Sequence, residues 1–194
     1  MKKMNSKDLI LVGVFSAIYI LLNVIISGFV ITPVLQILMM PVMALLGAPI
    51  YLLYLAKVPK VGAITILGLF FSALVGLLVY ANIYCFIVNI TFFIIAEFIA
   101  MIGEYKNKKL NGLSYVFAVS SAIGEAGLPW VAGKYFYDLS ISSGYSVEWA
   151  QGVSNLATIQ NLLIMIGLTL ICALISVQFS NKMFKKHFKK AGII

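Results

Sequence analysis

Two carboxyl groups stand where carboxyl groups are expensive. Glu97 and Glu125 both fall in long apolar stretches, and an ionisable side chain at membrane depth is a candidate for ligand binding or proton carriage. Glu125 lies in GEAGLPW, where Gly124, Gly127 and Pro129 weaken a helix; broken helices at that depth are tolerated where they line a cavity. The alternative is a carboxylic acid hydrogen-bonded to a neighbouring helix. Glu97 is close to the end of its stretch and in reach of Lys106, Lys108 and Lys109, which points to a structural pair or a partner contact. The usual catalytic sets are missing. The single histidine, His187, sits in the basic tail KKHFKK, and no HExxH, GxSxG or Walker sequence occurs. Cys85 and Cys172 lie in apolar runs without a CxxC motif, where a thiol acts as a small hydrophobe. The expectation is no catalytic residue, no metal site and no cofactor held by this chain.

The elements that must position these groups follow from composition. Of 194 residues 62% are hydrophobic and 10% charged, which excludes a soluble monomer and requires a bilayer. Forty-eight charge-free residues separate Asp8 from Lys57, and thirty-six separate Lys60 from Glu97, each enough for two helices across roughly 30 Å of hydrocarbon. The predicted fold is an all-α integral membrane protein, a compact bundle of six transmembrane helices forming a single domain over 1–194. The spans are placed at 9–31, 36–56, 61–80, 81–102, 113–131 and 153–179, with a loop over Tyr135 to Trp149 and a short basic tail at 180–194. All fourteen basic residues are lysine, and with six spans thirteen share one side, leaving only Lys134 on the other. By the positive-inside rule both termini are cytoplasmic. The net charge of +8 is then topogenic and lipid-facing, not a nucleic-acid footprint.

Helical spacing joins further polar residues to Glu125. Ser114, Ala118, Ser121, Glu125 and Pro129 share one face of the fifth span, Asn82, Cys85 and Asn89 one face of the fourth, and Ser154, Thr158 and Asn161 one face of the sixth. Turned inward, these stripes predict a small cavity open to the outside, with Asn82, Asn89, Glu125, Trp130, Thr158 and Asn161 as candidate substrate contacts. The aromatics Tyr135, Phe136, Tyr137, Tyr145 and Trp149 either cap that cavity or form an interfacial belt. With no basic residue inside a span, phosphate-bearing substrates are disfavoured. Small residues spaced by four recur, as Gly13 with Ala17 and as Gly68, Ser72 and Gly76, and allow close helix approach in lipid. Packing within the bundle is the ordinary use of that spacing.

The KDLILVGVFSAIYI lead into the first span, the QILMMPVMALLGAPI second span and the six short spans resemble one family across nearly the whole chain. They resemble the substrate-binding S component of energy-coupling factor (ECF) vitamin transporters, most closely the MptD-like, or Trep_Strep, branch. The resemblance implies capture of a vitamin-like or cofactor-like molecule outside, and its delivery inward by a T component with two ATPases that use ATP. It also implies that Gly13 and Ala17 contact the T component, Gly replacing the family's first Ala, and that the pocket lies in the outer half. Nickel and cobalt members begin Met-His; this chain begins Met1-Lys2-Lys3, so a metal substrate is not expected. The rival reading is a proton- or cation-coupled secondary transporter using Glu125.

Overall fold

The computed structural model describes residues 4–188, and their side chains as far as Lys186. The expectations for Lys2, Lys3, Lys189 and Lys190 lie outside the described residues, and that for His187 concerns a side chain beyond those described. Helix α1 (Ser6–Gly28) starts with a reciprocal cap. The Asn5 side chain accepts from the Asp8 amide at 3.0 Å while the Asn5 amide donates to the Asp8 carboxylate at 2.7 Å. Lys60 closes on the same carboxylate at 2.5 Å, tying the start of α1 to the turn after the second helix.

Helix α2 (Pro33–Lys57) opens with proline at its first position, where the missing N–H costs nothing, and carries Pro41 and Pro49 inside without a break. Pro49 leaves the Leu45 carbonyl without its helical donor, and Ser176 of a later helix supplies one at 2.5 Å. The Tyr115 hydroxyl donates to the adjacent Ala44 carbonyl at 2.7 Å. These cross-helix bonds make α2 the enclosed axis of the bundle, with α1 on one side and α10 (Ile159–Met183) along the other.

Helix α3 (Ala63–Phe71) continues as a π-helix over Ser72–Val79, and α4 spans Ile83–Ile102. Glycine lets these two approach closely. A Cβ at Gly68 would stand 2.4 Å from the Phe93 Cβ, and one at Gly76 would stand 2.6 Å from the Phe86 backbone nitrogen. The expected Glu97–lysine pair does not form. Glu97 instead accepts from the backbone N–H of Thr65 at 2.9 Å, from its hydroxyl at 3.2 Å and from the Tyr105 hydroxyl. It thereby supplies, from α4, the N-terminal cap that Gly62 cannot give α3.

The fifth predicted span departs most from a single helix. Residues 113–131 fall in three pieces, α5 (Lys108–Ser120), α6 (Ile123–Ala126) and α7 (Leu128–Val131): the first break tightens into three-residue turns at Ser121 and Ala122, and at the second, beside Gly127, Pro129 has no N–H to return to Glu125. Residues 135–149, expected as a loop, are largely helical, in α8 (Gly133–Ser142) and α9 (Val147–Leu156). The sixth helix accordingly begins at Ile159, and residues 153–156 belong to α9. Among the described residues four helices are long and apolar enough to cross a membrane, Ser6–Gly28, Pro33–Lys57, Ile83–Ile102 and Ile159–Lys186, and Ala63–Val79 forms a shorter apolar fifth.

Candidate functional site

At the end of the bundle away from the Asp8–Lys60 pair lies a cavity of about 440 Å³. Gln36 from the first turn of α2, Tyr80 at the end of the π-helix, and Phe136, Ser140, Tyr145 and Trp149 from α8 and α9 line it. The aromatic wall is ordered by stacking: Tyr145 lies on Trp149 with centroids 4.1 Å apart, and Phe136 flanks Trp149 at 6.3 Å. The Tyr135 hydroxyl donates to the Tyr80 carbonyl at 2.5 Å, fastening α8 to the turn between the π-helix and α4. Ser146 caps α9 by accepting from the Trp149 amide at 3.1 Å. The Glu148 carboxyl in that first turn is held below the usual carboxylate range by its own backbone N–H and by Ser146.

Two donors at this cavity have no partner. The Gln36 side-chain amide nitrogen and the Trp149 indole nitrogen are both buried without a hydrogen bond, on residues only 6% and 8% exposed. Buried polar groups in folded proteins are nearly always paired, so two unpartnered donors on the packed elements α2 and α9 that line the cavity, with the Tyr80 hydroxyl as polar neighbour of Gln36, mark this end as the candidate ligand site. No charged side chain lines the cavity. Its walls are aromatic and uncharged, with the amide of Gln36 and the hydroxyls of Ser140 and Tyr80 as polar groups.

A second polar cluster lies at the helix break. Glu125 is fully buried, and neither carboxyl oxygen has a hydrogen-bond partner. Asn89 of α4 is its polar neighbour, equally buried and with both amide atoms unpartnered, while the Cys85 thiol donates to the Gly124 carbonyl at 3.1 Å. Tyr19, Tyr80 and Cys85 are the titratable groups in electrostatic reach of Glu125, and no lysine is among them. The stripe predicted on the fifth span is thus entirely buried, and Tyr80, which also lines the cavity, stands between it and the aromatic wall. Part of that stripe is structural: Ser114 donates to the Ala96 carbonyl and receives the Tyr51 hydroxyl, both at 2.7 Å.

The other predicted contacts hold the backbone. Asn82 caps α4 by accepting from the Tyr84 amide at 2.8 Å. Trp130 donates to the Thr158 carbonyl at 2.7 Å, the exposed Thr158 caps α10 by accepting from the Asn161 amide, and Asn161 donates to the Leu156 carbonyl at 2.8 Å. The stripe of Ser154, Thr158 and Asn161 is split by the break between α9 and α10, so its members share no helix face.

Gly13 and Ala17 are exposed on α1. A Cβ at Gly13 would meet nothing within 4 Å, and the two residues line an apolar groove of about 420 Å³ with Ile20, Val24, Phe70 and Leu74. This pair is therefore not used for packing inside the chain.

Residues 6–190 match a family described as hypothetical bacterial integral membrane protein (Trep_Strep). The chain belongs to the Trep_Strep family. No curated protein and no solved structure matches it. Within this Trep_Strep chain, sequence reasoning missed Tyr80 and, above all, Gln36. Its signal was a single amide in the apolar run PVLQILMM, easily read as the edge of a span.

Proposed function

We propose that this bacterial membrane protein is the substrate-capture (S) subunit of an ECF-type ABC importer. It binds a vitamin-like or cofactor-like small molecule outside and passes it inward with a T component and two ATPases that hydrolyse ATP. In this reading six membrane segments, the third short and the fifth broken, put both termini and the lysine-rich end in the cytoplasm. The observation that carries it is the cavity between α2 and the α8–α9 pair, with aromatic walls and two unpartnered donors at the opposite end from the lysines. The outward-facing Gly13 and Ala17 support it from the other direction, since a small-residue groove unused within the chain suits close contact with a T component's helix. A lone binder cannot concentrate a solute, because a difference in affinity between two orientations has to come from the energised partners.

Native mass spectrometry of the protein purified from its own host tests the binding step. The expected result is a stoichiometric neutral organic ligand, retained by the wild type and lost from Gln36→Leu and Trp149→Ala with the fold intact. Uptake should require ATP and the partner subunits. Concentrative uptake by the chain alone would sink the proposal.

The unpartnered Glu125 favours a second reading, a proton- or cation-coupled secondary transporter. There, an uncoupler collapses uptake while ATP is maintained, and Glu125→Gln abolishes coupling. In the S-component reading the same substitution mainly weakens ligand affinity.

A further inference from the structure

The lysine-rich end holds a second cavity, of about 410 Å³, between the start of α5 and the end of α10. Lys106, Lys108 and Lys185 surround it, and Leu52, Ala56 and Phe184 form its apolar floor. Among the described residues no acidic side chain lines it. Of the six acidic residues in the chain, Asp8 is paired with Lys60 and Glu97 is held by Thr65 and Tyr105. Glu104 is exposed and does not line the cavity, and Glu125, Asp138 and Glu148 lie on the elements of the opposite end. The Asn111 and Asn181 amides complete the wall. Lys106 from the turn before α5, Lys108 at the start of α5 and Lys185 from the π-helical turn after α10 therefore surround one recess.

A soluble anion would use the lysines but not the floor. On the face of α10 that carries Asn181, two and three turns toward the middle of the helix put Leu174 and Leu170 at 54% and 42% exposed, as side chains facing hydrocarbon would be. A ligand with an anionic head and apolar tails satisfies both halves. Lysine near an anionic membrane surface contributes in proportion to its number, and basic pockets between membrane helices suit lipid headgroups. We propose that this cavity binds the phosphodiester headgroup of an anionic glycerophospholipid from the leaflet on the lysine-rich side. The acyl chains run along α10, and the bound lipid braces α5 against α10. The site is independent of the substrate cavity and of any transport reading.

The test is native mass spectrometry of the full chain released from nanodiscs of equal phosphatidylglycerol and phosphatidylethanolamine. The wild type is expected to retain phosphatidylglycerol preferentially. Lys106→Gln/Lys108→Gln/Lys185→Gln should reduce that preference roughly tenfold. A control with the same change in charge, Lys109→Gln/Lys182→Gln/Lys186→Gln, alters lysines that do not line the cavity and should leave most of the preference in place. Ala56→Trp fills the floor, retains every charge and should also release the lipid, so the proposal stands on a second variant should the triple fail to fold. Equal loss in pocket and control variants would reduce the effect to diffuse surface charge and overturn the site. So would an absence of preference in the wild type, or thermal protection by inorganic phosphate equal to that by phosphatidylglycerol.

Discussion

Two stripes of small residues in this molecule have the same spacing and opposite surroundings. Gly68, Ser72 and Gly76 on α3 and its π-helical extension press against α4 so closely that an added Cβ would stand within 2.6 Å of a neighbouring atom at either glycine. Gly13 and Ala17 on α1 face outward, with nothing within 4 Å of a Cβ at Gly13. Spacing alone states that two backbones can approach; it does not state whether the second belongs to the same chain. Where the partner helix is present the stripe is a structural seam. On α1 no such helix is present among the described residues and the stripe lies open.

The largest expected effect breaks the seam. Gly76→Leu sets a branched side chain against the Phe86 backbone nitrogen and Cα, 2.6 and 2.8 Å from the Cβ position, and backbone in a helix pair cannot step aside. We expect a cost at or above about 3 kcal/mol and loss of the monodisperse species in gel filtration. A variant that purifies and melts like the wild type would mean that α3 and α4 are not packed as described. Next in size, and on function alone, is Gly13→Leu. It should melt normally and retain ligand, yet show no uptake in cells carrying the partner subunits. Equal loss of binding and uptake would return the α1 stripe to the bundle interior.

The difference between the stripes could not be read in the sequence, whereas much around them could. Forty-eight and thirty-six residues without charge leave hardly any other course than membrane helices, so α1, α2 and α4 follow from desolvation cost alone. Gly124, Gly127 and Pro129 mark the break at Glu125 because backbone chemistry is local. The site was less legible because it is not local. Gln36, Tyr80 and Trp149 come from three distant segments, and no periodicity links a lone glutamine in α2 to an indole in α9. Helices α8 and α9 escaped notice because they are short and mixed in polarity. Only the Ser146 cap ahead of Trp149, Ala150 and Val153 announces α9.

Glu97 sharpens the comparison at the same interface. The seam between α3 and α4 is closed by glycine contacts along its length and fastened at the lysine-rich end by a carboxyl that caps α3 from the neighbouring helix. Glu97→Gln keeps an acceptor and removes the charge that favours a helix N-terminus, so a loss of about 1–2 kcal/mol is expected. Thermal unfolding measures it, and Tyr105→Phe should move the melting point in the same direction. An unchanged melting point in both variants would show that the close glycine contacts hold α3 to α4 unaided.

The smallest effect is the most discriminating, because one substitution should change sign between the stripes. Alanine in place of glycine restricts the unfolded chain and favours helix by about 0.5–1 kcal/mol where space permits. At Gly13 space permits, so Gly13→Ala should melt slightly higher than the wild type. At Gly68 the new methyl would lie 2.4 Å from the Phe93 Cβ, which is fixed to backbone, so Gly68→Ala should melt lower despite the same gain in propensity. Uptake completes the argument. A single methyl keeps the α1 groove shallow and matches the alanine that the resembled family carries there, so Gly13→Ala should still transport. A raised melting point with transport abolished would mean that the proposed contact of α1 with a T component needs a bare backbone at position 13, a tighter fit than the exposed groove requires.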